Sequence, residues 1–251
     1  SRAGRSHAYP LPMPDASPAA ALCGTPAELR PHPRQRAWVE VSEAAIQANA
    51  AELRRHLAPG SALMAVVKAD GYGHGALAAA RAALEGGATG LCVALVQEGV
   101  ELRRAGFDAP VLVLSEQPHD ELVAAVQHGL QLTVYRHETV GALEALGAES
   151  HPVHLKIDTG MHRVGCRPDD AVALASRVVA NSALELDGVL THLAVADEVG
   201  HDYNDRQLDR FDDVLAALAA HDIRPRVVHA ANTAAALTIP RARYDMVRPG
   251  I

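Results

Sequence analysis

From Ala37 onward, short apolar runs alternate with longer Ala- and Leu-rich stretches that carry a helical spacing of apolar positions. After an introductory strand at Trp38–Val41, the runs predict strands at Leu63–Lys68, Leu91–Leu95, Val111–Leu114, Leu132–Tyr135, Val153–Ile157, Leu186–His192, Val227–His229 and Met246–Arg248. Helices are predicted at Ser42–His56, Ala76–Leu84, Gln97–Ala105, Asp120–Gln127, Glu138–Leu146, Asp169–Val179 and Asp205–His221, with a shorter one after Asn232. Eight parallel strands interleaved with helices predict an α/β fold of the (β/α)8 TIM-barrel type. A flavodoxin-like doubly wound sheet would need fewer strands and usually a Gly-rich phosphate loop after the first.

The strands carry chemistry at one end. Side chains two residues apart share a strand face, so Val153, Leu155 and Ile157 are expected to meet helices while His154, Lys156 and Asp158 point into the barrel. Barrel interiors are ordinarily filled with Val, Ile and Leu, and three ionisable groups there are costly unless they are paired or used. A purely structural ion-pair cluster is the alternative from this strand alone. Lys68, His192, His229 and Arg248 repeat the pattern at the C-terminal ends of four other predicted strands. That rim is where barrel enzymes gather catalytic groups.

Composition narrows the partner. The 251 residues are 49% hydrophobic, enough for a sizeable core, and 23 basic against 30 acidic residues give a net charge of −7. With no basic block, a small molecule is expected rather than nucleic acid. Cys23, Cys92 and Cys166 lack disulfide or zinc spacing, and no apolar run approaches the roughly 20 residues of a membrane span. The expectation is a soluble cytoplasmic protein without a metal site or membrane contact. Residues 1–36, rich in Pro, Ala and Arg and without period, are expected to be a disordered leader to a barrel over 37–251.

The stretch from Ala65 through Lys68-Ala69-Asp70-Gly71-Tyr72-Gly73-His74 to Gly75 resembles the cofactor-lysine motif of the alanine racemase family. Four further segments follow in the family's order: His154 to Gly165, Thr191-His192, His229 to Thr233, and Arg248-Pro249-Gly250-Ile251. The resemblance implies pyridoxal 5'-phosphate as cofactor, held by Lys68 as a Schiff base. It also implies an isomerase that interconverts L- and D-alanine by α-proton transfer, supplying D-alanine for peptidoglycan. Lys68, Arg163 and His192 become the expected catalytic residues. Tyr72, Thr233 and the backbone of Gly250 and Ile251, with Asn232 nearby, become the expected phosphate cradle.

By the same resemblance Arg248 faces the pyridine nitrogen. An arginine is effectively always protonated, so it donates there without giving up its proton, which disfavours the side reactions of transamination. His229 would support Arg248, and His192 would stack on the ring. Arg163 would meet the phenolic oxygen and the substrate carboxylate. Lys156 would be carbamylated, an anion able to hold Arg163. As ordinary roles, Thr233 could cap the helix that follows it, and either histidine could be a satisfied core residue.

Family enzymes are homodimers whose C-terminal β-domain lends a tyrosine to the neighbouring subunit's site, and nothing resembling that domain precedes Ile251. A fragment is therefore expected, lacking the second base for racemisation. A single-barrel pyridoxal-phosphate carrier and a broader-specificity racemase are the alternatives; such carriers generally lack the Met161–Gly165 pattern.

Overall fold

The structure, a computed structural model, describes residues 37–147 and 149–250. The leader expected over 1–36, Cys23, and the role expected of Ile251 lie outside those residues. The chain divides into two units, Ser1–Glu40 and Val41–Ile251, and the second contains the barrel.

Trp38–Val41 forms no strand. A strand needs a ladder partner, and each of the eight barrel strands already has two. Helix α1 (Glu43–Arg55) starts where Ser42 caps it, the side chain accepting from the Ala45 amide, with Glu43 in its first turn and Arg54 and Arg55 in its last. The barrel strands follow as β1 (Ala62–Val66), β2 (Gly90–Val93), β3 (Val111–Val113), β4 (Gln131–Val134), β5 (His151–Lys156), β6 (Leu184–Leu190), β7 (Val227–His229) and β8 (Met246–Val247). All are parallel and joined in sequence order, and β8 closes on β1 with Leu63 opposite Val247. The expected barrel is therefore present. Strand ends fall short of the prediction, because Lys68, Leu95, Tyr135, His192 and Arg248 belong to the loops that leave the C-terminal rim.

The connecting helices are α2 (Ala76–Glu85), α3 (Val96–Arg104), α4 (His119–Gln127), α5 (His137–Ala145), α6 (Ala171–Val179), α7 (Asp202–Ala220) and α8 (Thr233–Thr238). Every predicted helix is present. The one expected from Asp169 opens instead as a 3-10 turn, Pro168–Asp170, since proline has no amide to continue a helix upstream.

Two apolar layers follow from strand alternation. Leu63, Ala65, Leu91, Val111, Val113, Val153, Leu155 and Ile157 pack outward against the helices. Inside the barrel, Met64, Val66, Cys92, Leu112 and Met246 form a separate cluster contributed by β1, β2, β3 and β8. The opposite side of the interior is polar: Thr133, His154, Lys156, Asp187 and His229 are all buried. His154 and Lys156 take the positions expected of them. Asp158 does not, because its carboxylate turns back to accept the Gly160 and His162 amides of its own loop, both at 3.0 Å.

An irregularity between β5 and β6 builds this polar half. Val153 pairs with Leu186 and His154 with Gly188, so Asp187 is the extra residue of a bulge. A bulge re-aims the side chain it frees, and here it brings a carboxylate to the interior from a strand whose other acidic residue, Glu185, is exposed. Gly188 makes the space: a Cβ there would lie 2.2 Å from His154 Nδ1.

Candidate functional site

A cavity of about 630 Å³ opens at the C-terminal ends of the strands. Its lining includes Lys68, Tyr72, Lys156, Arg163, His192, Asn232, Thr233, Arg248 and Gly250, so the structure brings together the expected site residues that lie within the described chain. His229 stands behind the lining, fully buried. Ala94, Leu114 and Ser115 also line it and were not anticipated; they sit just beyond β2 and β3, and their own side chains carry no charge to mark them.

Lys68 leaves β1 through an unusual backbone. Ala69, Asp70, Gly71 and Tyr72 all adopt left-handed φ values, between 51° and 60°. Left-handed conformations cost non-glycine residues roughly 1–2 kcal/mol each, so three of these four need external restraint. Glu98, in the first turn of α3, supplies it. One carboxylate oxygen accepts from the Ala69 amide at 2.6 Å, and the other from Ala94 at 2.7 Å and Leu95 at 3.0 Å. Asp70 adds a bond from the Ala76 amide at 2.7 Å. The Lys68 ammonium then lies 5.9 Å from the centre of the Tyr72 ring. Nothing in the strand and helix patterns marks Glu98 beyond its place three residues after a helix cap.

Tyr72, Thr233 and Gly250 converge opposite. The Thr233 hydroxyl accepts from the Gly250 amide at 2.8 Å, and a Cβ on Gly250 would sit 2.8 Å from the Tyr72 hydroxyl. Only glycine leaves that gap between two hydroxyls and an amide, a donor set suited to a phosphate. The helix cap falls to Asn232, whose side chain accepts from Ala235 at 3.0 Å, so Thr233 is free of the capping role considered for it. Asn232 keeps its place in the lining.

Arg248 is buried, and among the described residues no carboxylate is a hydrogen-bond partner of it. It donates to His229 Nδ1, and to the carbonyls of Thr191 at 2.9 Å and Ala230 at 3.1 Å. Burial pulls its pKa down to about 10, which leaves it charged at neutral pH. Arg163 is held differently, on the loop after β5. The Tyr203 hydroxyl and Arg210 of α7 grip the carbonyls of Gly160 and Thr159, at 2.8 and 2.9 Å. Lys156 lies beneath these cations. Burial first, then Arg248 and Arg163, brings its pKa down to about 8. The same causes, burial foremost, bring His192 down to about 3 and hold it neutral.

The fold and its mouth define an α/β barrel with a cation-rich ligand cavity at the carboxyl ends of its strands. The family model for the alanine racemase N-terminal domain matches residues 41–251. A curated alanine racemase from Symbiobacterium thermophilum is 45% identical over 217 residues, 85% of this chain and 57% of the relative. The crystal structure of alanine racemase from E. faecalis superposes with a TM-score of 0.79 at 41% identity, over 84% of this chain and 57% of that one. The Bacillus anthracis alanine racemase solved with bound L-Ala-P gives a TM-score of 0.80 at 37% identity, over 85% and 56%. The chain belongs to the alanine racemase family, and it spans somewhat over half the length of the relatives it matches.

The site carries a pH signature. His151, His154, His192 and His229 all have pKa values lowered chiefly by burial, so the folded chain keeps them neutral where the unfolded chain, near pKa 6.5, takes up protons. The unfolded state then binds more protons below pH 6.5, and stability is lost as pH falls from there. Each histidine contributes up to about 1.4 kcal/mol per pH unit. Urea denaturation between pH 7 and 4.5 should show this steepening loss; an unfolding free energy flat from pH 6.5 to 5 would contradict it.

Proposed function

We propose that this chain is the cofactor-binding barrel of an alanine racemase, using pyridoxal 5'-phosphate to interconvert L- and D-alanine. The observation that carries the reading is the convergence, in one cavity, of the Lys68 amine, the Arg248 guanidinium and the Tyr72–Thr233–Gly250 donor set. The ligand held by the Bacillus anthracis relative, L-Ala-P, and the cycloserine held by the Clostridium difficile relative support alanine as substrate.

Those residues fit the cofactor. Tyr72 would give its hydroxyl to the phosphate, and Thr233 and Gly250 would exchange the bonds they make with each other for bonds to it; Arg248 would donate to the ring nitrogen. Bound pyridoxal phosphate supplies an electron sink that acidifies the α-C–H of an amino acid. Lys68 would hold the cofactor through its amine and, once displaced by substrate, move the α-proton on one face through Nζ. Arg163 would orient the substrate carboxylate with its planar fork. His192, neutral and in the lining, would stack on the cofactor ring without adding charge.

We assign the base for the opposite face to the length of the relatives that this chain does not cover, and with it the homodimer expected of the complete enzyme. D-alanine for peptidoglycan, made in the cytoplasm, is the biological role this activity would serve. No helix among the described residues is long and apolar enough to cross a membrane.

The full-length gene product should convert L-alanine to D-alanine, and Lys68→Ala should purify without visible cofactor absorbance. No conversion, or a normal spectrum in Lys68→Ala, would sink the reading. We further propose that Lys156 carries a carbamate, since a lysine titrating near 8 offers neutral amine to carbon dioxide and the product anion would meet Arg163. Protein equilibrated with ¹³C-bicarbonate should show a carbamate carbon resonance that Lys156→Ala abolishes; an unchanged spectrum would count against it.

A further inference from the structure

Behind the cavity lies a line of polar groups that the reading above uses only at its first member. His229 Nε2 is 2.9 Å from His154 Nδ1, and His154 Nε2 is 3.4 Å from Asp187 Oδ2. Asp187 Oδ1 in turn accepts from Arg226 at 2.6 Å, and Oδ2 also accepts from Gln131 Nε2 at 3.3 Å. The line runs from Arg248 at the mouth, through the barrel interior, to Arg226 at the start of β7. His154, His229 and Asp187 are buried, while the Arg226 side chain reaches solvent at 69% exposure.

Protons can be distributed along this line in only one way. A guanidinium only donates, so His229 Nδ1 must be a bare acceptor. The His229 proton then sits on Nε2 and points at His154 Nδ1, which must also be bare. The His154 proton is left on Nε2, which makes no hydrogen bond of ordinary geometry among the described residues and faces the Asp187 carboxylate at 3.4 Å. An ionised carboxylate only accepts, so the line terminates consistently. Charging either imidazole would put two protons on one contact.

Resting on the racemase reading, we infer that His154 and Asp187 are positioning residues: together they lock His229 in the tautomer that offers its Nδ1 lone pair to Arg248. Arg248 is thereby held, charged, as a donor toward the cofactor's ring nitrogen. The local structure is built for this purpose. The β5–β6 bulge exists at Asp187, and the absence of a side chain at Gly188 makes room for the His154 ring. Neutrality of the imidazoles agrees with the geometry, since burial lowers the pKa of both. Asp187 is pulled to about 2: burial opposes its ionisation, but His154 and Arg226 outweigh it.

The test is to swap the acceptor for a donor. In Asp187→Asn, Arg226, the shorter contact at 2.6 Å, takes the amide oxygen, so the NH2 faces His154 Nε2 and the Gln131 side-chain amide, which donates to Oδ2 at 3.3 Å in the wild type, turns over to accept from it. That reverses the line: both histidines move their proton to Nδ1, and His229 then presents N–H to a guanidinium. The full-length protein labelled with ¹⁵N-histidine reports this directly, without cofactor, because protonated and bare ring nitrogens resonate far apart. Wild type should show His154 and His229 as Nε2–H tautomers, assigned through His154→Gln. Asp187→Asn should convert both to Nδ1–H and weaken pyridoxal-phosphate affinity by about tenfold, the scale of one lost charge-assisted hydrogen bond. It should also shift the visible absorbance of the bound cofactor.

An Nδ1–H signal on either histidine in wild type would overturn the inference, as would Asp187→Asn leaving tautomers and absorbance unchanged. Because the tautomers are read without cofactor, the outcome stays separate from the racemase reading. That reading fails on its own measurements, L-to-D conversion by the full-length protein and the cofactor spectrum of Lys68→Ala.

Discussion

The barrel mouth depends on one constraint: a guanidinium, Arg248, is buried where no carboxylate among the described residues touches it. A buried cation without a paired anion is costly, and mutating away its remaining support would be costlier still. The protein answers with two carbonyls and an imidazole, and meets a carboxylate only three groups away, at Asp187. Much of the interior follows. The histidines must be neutral, β6 must bulge to bring Asp187 inward, and residue 188 must lack a side chain. The apolar half of the barrel, from Met64 to Met246, can pack conventionally because the polar half carries these demands.

The second demand is placed on the backbone after β1. Lys68 is delivered to the cavity by a left-handed turn that its own residues would not choose, and the turn is held through amides by a carboxylate from α3. Strain stored beside a reactive group and restrained by its neighbours is a recurrent arrangement at functional sites. Here it fixes where the amine emerges. The opposite wall achieves a comparable result by omission, since Gly250 leaves the gap between the hydroxyls of Tyr72 and Thr233.

Periodicity was enough to read the barrel, because parallel strands buried on both faces and amphipathic helices have distinct patterns. It also read the inward face of β5 correctly at His154 and Lys156. It failed where the chain leaves regular structure. Trp38–Val41 alternates like a strand but has no ladder partner, and Asp158 follows the strand's period yet closes its own loop. Asp187 was missed because a period of two assigns it outward; the Asp-Gly pair inside an apolar run was the available sign of a bulge. Glu98 could not be read at all, since its role depends on a loop 29 residues away in the chain. The charged members of the cavity, with Tyr72, Asn232, Thr233 and Gly250, were by contrast legible through resemblance to a family to which the chain belongs, while Ala94, Leu114 and Ser115 were not.

Lys68 is the lysine proposed to hold pyridoxal phosphate. Borohydride reduction of the cofactor-loaded full-length protein, followed by peptide mass mapping, tests it most directly. A pyridoxyl-phosphate adduct on the peptide containing Lys68 is the predicted result. An adduct on Lys156 or another lysine, or none at all in a protein that binds the cofactor, would contradict it.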